Sequence, residues 1–143
     1  MLSVVDDKQV IAYTIKSDPY IQSLGFQNQY IYKSMTTPDL IKAGNKQIFI
    51  YNAPGVRTVS EIESGLVYQI DVSVPTTENY IADICLEQIQ ALILNKTIRK
   101  RPIRLFDPPR ALAPSIENFY IIGMKIVLYS TIFNKKRVIE SNS

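Results

Sequence analysis

The sequence predicts an α+β domain: a mostly antiparallel twisted sheet with an amino-terminal helix and one long central helix packed against it. Three observations lead there. Leu66, Tyr68, Ile70, Val72 and Val74 alternate with Val67, Gln69, Asp71 and Ser73, the period of a strand with one buried face and one mixed face. Pro75 ends that strand, and Thr76-Thr77-Glu78-Asn79 then supplies a capping residue and an acid for a helix reaching about Leu94. On this helix Ile81, Ile84, Cys85, Ile89, Leu92 and Ile93 form the apolar side, with Asp83, Glu87 and Gln90 toward water. Aromatic and β-branched runs on either side of this pair, Gln47 to Tyr51 and about Asn118 to Phe133, supply further strands.

The remaining elements follow in chain order. From Asp6 to Lys16, Val10, Ile11, Thr14 and Ile15 recur near helical spacing behind two acids that favour a helix start. Ser17-Asp18-Pro19 stops that helix and starts another, with Asp18 as cap, Tyr20, Ile21 and Leu24 turned inward, and Gly25 as terminator. Tyr30-Ile31-Tyr32 reads as a short strand, and Thr37-Pro38-Asp39-Leu40-Ile41 as a loop or single turn. Between Asn52 and Gly65 a polar stretch containing Pro54-Gly55 reads as a protruding arm. Beyond the central helix come the basic segment KTIRKRPIRLF, a Pro-rich loop from Asp107 to Pro114, and the final strand, where Gly123 is expected to mark a bulge. Residues 1–134 read as one domain and the polar residues 135–143 as a loose tail.

Composition removes whole classes of function. A chain of 143 residues with 46% hydrophobic content can build a core without disulfides or metal. Its single cysteine, Cys85, allows no intrachain disulfide and no cysteine-based zinc site, and on an apolar helix face it behaves as a small hydrophobe. Histidine is absent, which removes the commonest general base near neutral pH and the usual triads. The five glycines form neither GxGxxG nor GxxxxGK[ST], so no phosphate cradle is present. Asp6-Asp7, Glu61 with Glu63, and Asp83 with Glu87 are explained by a helix start, a solvated loop and a solvated helix face. No catalytic, cofactor-binding or metal-binding residue is therefore assigned. The opening MLSVVDDKQV is unlike a secretory signal, and no run of about eighteen apolar residues occurs, so the expectation is a protein that is soluble and cytosolic when made, with no membrane partner.

Two features go beyond this. Lys96, Arg99, Lys100, Arg101, Arg104 and Arg110 meet only Asp107 as a nearby acid. They form a solvated strand face, or the docking surface of an acidic protein partner, or a contact to nucleic acid. Nine tyrosines and no tryptophan, several on strands, suit either a half-buried sheet or a subunit interface. The candidate interface residues are Arg99, Lys100, Arg101 and Arg104 on the basic segment, and Arg57, Glu61 and Glu63 on the arm. An exposed sheet edge and the arm are the places where neighbouring subunits are expected to add strands or wrap.

The order of parts resembles one family. VYQIDVSVPTTENYIADICLEQIQALI, a capped helix directly after a long alternating strand, is followed by a Pro-containing connection and the closing strand YIIGMKIVLYSTIF, and preceded by IYKSMTTPDLIKAGNKQIFIYNAPG. In layout and size this resembles the tail terminator family of long-tailed bacteriophages, also called tail-completion or tail-to-head joining proteins. The resemblance implies a virion protein with no catalytic residues or cofactor. It would form a ring of six copies at the head-proximal end of the tail tube, with the tail tube protein on one side and a head connector or adaptor protein on the other. DNA would be met only by passage through the ring lumen. The Asn52 to Gly65 arm and the Pro-rich loop are additions to the simplest pattern. Rival readings are a head-completion or adaptor subunit, a tail-tube relative, a small nucleic-acid-binding protein using the basic segment, or an enzyme working without histidine.

Overall fold

In the computed structural model the described residues are 7–35, 41, 45–53, 65–112 and 118–129. The arm tip with Arg57, Glu61 and Glu63, the turn from Thr37 to Leu40, and the tail at 135–143 lie outside them. Helix α1 (Asp7–Lys16) begins on an acid and ends on a base, the polarity its dipole favours. Helix α2 (Pro19–Ser23) starts as its sequence predicts: Asp18 accepts a hydrogen bond from the Ile21 backbone N–H at 3.0 Å, with Pro19 in the first turn. Gly25 follows with φ +103°, a conformation open to glycine. Ile21 is fully buried, but Tyr20 is 47% exposed, because a helix of five residues can turn only one side inward.

Six strands form one sheet in the order β1 (Ile31–Tyr32), β2 (Gln47–Asn52), β3 (Gly65–Pro75), β6 (Phe119–Tyr129), β5 (Arg101–Leu112), β4 (Thr97–Ile98). All neighbours are antiparallel except β1 and β2, which run parallel. The centre is the β3–β6 pair, in unbroken register from Gly65↔Tyr129 to Pro75↔Phe119. Helix α3 (Asn79–Ile93) connects β3 to β4 and lies on β3 and β6, with α1 against it. It is entered through a single 3₁₀ turn at Thr76–Glu78, with no side-chain cap. The expected capping residue is replaced by the turn's own backbone bond, Asn79 N–H to Thr76 O.

The main core lies between this helical layer and the sheet. It takes Ile48 and Ile50 from β2, Tyr68, Ile70, Val72 and Val74 from β3, and Ile122, Met124, Ile126 and Leu128 from β6. Against them pack Ile81, Ala82, Cys85, Leu86, Ile89 and Ile93 of α3 and Ile11, Ala12 and Ile15 of α1. Leu86 joins the buried stripe, and Ile84 stays half-buried at its margin.

The opposite face, expected to be mixed, is buried as well. Phe49, Ile121 and Ile41 form a second cluster with Tyr32, Tyr51, Leu112 and Phe119, and the Tyr32 and Phe49 rings stack 5.2 Å apart. Buried among the polar residues of that face are Gln47, Gln69, Asp71 and Ser73. Asp71 satisfies its carboxylate by accepting from the Tyr51 hydroxyl and, at 2.7 Å, from Gln69 Nε2. Gly123 lies directly across from Asp71 and makes this possible: a Cβ there would stand 2.3 Å from Asp71 Oδ1 and 2.6 Å from Gln69 Nε2. Gly123 is therefore a space-maker, and it also borders the expected bulge, whose extra residue lies on the neighbouring strand β5.

The bulges are on β5. Its register with β6 slips between Leu105 and Asp107 and again between Asp107 and Arg110. Of the Pro-rich stretch expected as a loop, Asp107 to Leu112 are thus the second half of a twelve-residue strand, and Ala113 and Pro114 lie outside the described residues. Pro108 and Pro109 fall within the second slip, where a missing N–H interrupts no ladder bond.

Candidate protein–protein interface

The basic segment folds into the β4–β5 hairpin beyond the end of α3. Ile98 pairs with Arg101, so Arg99 and Lys100 are the two central residues of a two-residue turn, with φ of +53° and +68°. Positive φ at both positions defines the turn that matches the twist of a hairpin, a conformation usually filled by Asn-Gly. An L-residue with a side chain costs about 1 kcal/mol in this region relative to glycine. Two long cations held there at the tip are a local strain that hairpin formation does not require.

The four basic candidates separate. Arg99 and Lys100 are exposed at the tip. Arg104 is exposed on β5 and donates from Nη1 to Asn95 Oδ1 at 2.7 Å. Arg101 turns inward: its Nη2 is ion-paired with Asp7 Oδ1, and the two side chains are only 15% and 8% exposed. The Tyr68 hydroxyl donates to the other oxygen of Asp7 at 3.0 Å, so one carboxylate ties the start of α1 to the hairpin and the central strand. Arg110 is paired with Asp107 at 2.7 Å, and Lys125 approaches the same oxygen at 3.5 Å. The outward charge of the segment is accordingly carried by Lys96, Arg99, Lys100 and Arg104.

Beside these cations the first bulge of β5 turns Leu105 and Phe106 to solvent, each 40% exposed. Apolar residues rimmed by arginine are common at protein interfaces. The strand edge itself offers little to a neighbour. Two register slips and Pro108 and Pro109 break the row of backbone groups that an added strand would need, the usual protection of an edge. Side chains, not backbone, are what β5 presents.

For the exposed side of α3 the sequence predicts only a solvated helix face. Tyr80, Asp83, Glu87 and Ala91 lie along it at helical spacing, with Tyr80 59% exposed. Asp83 accepts a hydrogen bond from the Tyr120 hydroxyl at 2.8 Å. Partial burial, with that bond and the Asp83 charge, pushes the Tyr120 phenol up to about 12. Burial also pushes the Cys85 thiol well above its ordinary value, which keeps it protonated and unreactive.

Among the described residues no group of three or more Cys, Asp or Glu is placed to hold a metal ion, and no helix is long and apolar enough to cross a membrane. An apolar recess of about 240 Å³ lies between α1, the end of α3 and the hairpin, lined by Val10, Ile11, Leu92 and Ile98, among others, with Lys96 also on its wall.

No family model matches the chain, and no curated protein matches it. Among solved structures, the fold is similar to a chain in a structure described as the virion of a native gene transfer agent particle. The TM-score is 0.56 at 13% identity, covering 83% of this chain and 90% of that one.

Proposed function

We propose that this chain is a structural subunit of a phage-like virion: a tail terminator that forms a ring at the head-proximal end of the tail tube, ends tube growth and joins tail to head. The observation that carries the reading is the likeness of fold to a chain of a gene transfer agent virion over most of both chains. The layout resemblance to tail terminators, drawn from the sequence alone, points the same way. The described surface is consistent with assembly: its outward features include a cationic hairpin tip, the exposed Leu105 and Phe106 beside it, and an acidic helix face.

The mechanism is the capping of a polymer. A tube grows because each end displays the same surface, so a subunit that matches it on one side and differs on the other stops growth. Arg99, Lys100 and Arg104, and on the arm Arg57, Glu61 and Glu63, are the proposed contact residues toward neighbouring copies, the tail tube protein or a head connector. DNA passes through the lumen without being read.

The test is electron microscopy of tail tubes with and without the purified chain carrying a gold label. Rings at one end of tubes of fixed length are the expected result. Label on tail-less heads instead would make the chain a head-completion subunit, and its absence from purified particles would remove it from the virion.

A further inference from the structure

The recess of about 240 Å³ between α1, the end of α3 and the hairpin has apolar walls: Val10 and Ile11, Leu92 and Ile93, Ile98 and Ile103. Val10 and Leu92 are only half-buried, so the hollow opens to the surface. Thr14, also on the wall, donates its hydroxyl to Val10 O at 2.9 Å. Among the described residues Lys96 is the one charged member of the wall, and it is in no ion pair. Water gains little in such a hollow, because it finds few hydrogen-bond partners there. An apolar cavity of about 150 Å³ holds a benzene ring, so this one has room for a large aliphatic side chain and part of a second. An occupant that fits is apolar and carries a negative charge at the rim.

The register of the sheet points to an occupant. Leu128 of β6 pairs with Ile103 on the recess wall, and β6 ends one residue later, at Tyr129. Neighbouring strands lie about 5 Å apart, so the chain leaves β6 beside the recess. The residues that follow, 130–143, are outside the described ones. Their sequence holds two apolar pairs, Ile132-Phe133 and Val138-Ile139, and a single acid, Glu140. Only Val138-Ile139, which interrupts the polar stretch expected to be loose, has that acid next to it. We infer that Val138 and Ile139 fill this recess in their own copy of the chain, with the Glu140 carboxylate on the Lys96 ammonium. The eight residues 130–137 span up to about 26 Å when extended, ample for a return to a wall one strand away. A tether this close gives the segment a high effective concentration at the recess, which favours its own copy over a neighbour. Docking there holds the hairpin against α1 and α3, and with it the tip that carries Arg99 and Lys100. The inference does not rest on the virion reading, and either can fail alone.

The experiment attaches a nitroxide spin label to the full-length chain carrying Ser141→Cys and reads the methyl NMR signals of Val10, Leu92, Ile98 and Ile103. Cys85 is buried and stays unlabelled. Docking broadens those signals beyond what the tether alone produces. Val138→Asp/Ile139→Asp, which keeps the tether but sets carboxylates against apolar walls, should cut the broadening about tenfold. Lys96→Glu should cut it about threefold by bringing like charges together, and Lys96→Glu/Glu140→Lys should restore it. Circular dichroism melting confirms that each variant is folded. Broadening that is the same with and without the two aspartates overturns the inference. So does broadening unmoved by Lys96→Glu, since the charge match is what selects this segment. A sample mixing spin-labelled chains with isotope-labelled, spin-free ones separates the copies. No broadening in that mixture is the expected result; broadening found there assigns the recess to a neighbour's segment and overturns docking within one copy.

Discussion

The buried ion pair between Asp7 and Arg101 shows how a residue chosen for its charge can serve the fold. In sequence Arg101 is one of a run of cations; in the structure it is held by a carboxylate ninety-four positions away, which also accepts from Tyr68. Removing one member of such a pair leaves the other charge buried without its partner. Asp7→Ala is expected to cost about 3 kcal/mol in urea denaturation, whereas Lys100→Ala on the exposed tip should change stability by less than about 0.5 kcal/mol. Tyr120 gives a pH prediction. Its folded pKa, about 12, lies above the ordinary value of 10.0, so the stability it adds is complete below pH 10 and is lost as pH rises through the folded value. Asp83→Asn should lower the Tyr120 pKa toward 10.0, followed by NMR of the ring carbons; no change would mean that the hydrogen bond is not made in solution. Cys85 should resist thiol reagents in the native protein and react only on unfolding.

At the scale of elements, β3, β6 and β5 show three ways of handling a strand. β3 alternates so regularly that its helix-facing residues are legible from sequence, yet its polar face is buried too, and nothing in an alternating pattern says whether a second layer will cover it. β6 carries Gly123 because Asp71 and Gln69 of its neighbour occupy the space a side chain would take. Those side chains are packed and hydrogen-bonded, so Gly123→Ala is expected to destabilise by about 2 kcal/mol, measured as a lower melting temperature. An unchanged melting temperature would show that the Asp71 network moves freely. β5 reads as a loop because of its prolines, but an edge strand tolerates proline at bulges, and those bulges turn Leu105 and Phe106 outward. Whether a Pro-rich run is loop or edge strand depends on β6 being there to pair with it.

Over the whole molecule, stability rests on the sheet's helix-facing residues, and the proposed function on what lies outside them. Ile70, at the centre of β3 and fully buried, should lose about 3 kcal/mol on Ile70→Ala, read from the shift of the denaturation midpoint. Such a variant should still assemble at temperatures where it remains folded, because no proposed contact residue touches it. Charge reversal at Lys100 on the exposed tip should have the opposite profile, with an unaltered midpoint and impaired assembly. That division is what the proposed function, in which free energy goes into matching surfaces, requires.

By itself the sequence determined the α+β class, the β3–α3 unit, the caps at Asp18 and Gly25, the inert thiol, and the lack of histidine chemistry. These follow from periodicity, local backbone preference and residue inventory, all short-range properties. Only the tertiary structure decided that Arg101 faces Asp7, that Gly123 yields space to Asp71, that Asp107 to Leu112 belong to a strand, and that the exposed cations of the hairpin and the exposed acids of α3 lie on different elements. Each of those depends on residues far apart in the chain being brought together, and a local pattern carries no information about who its distant neighbour will be.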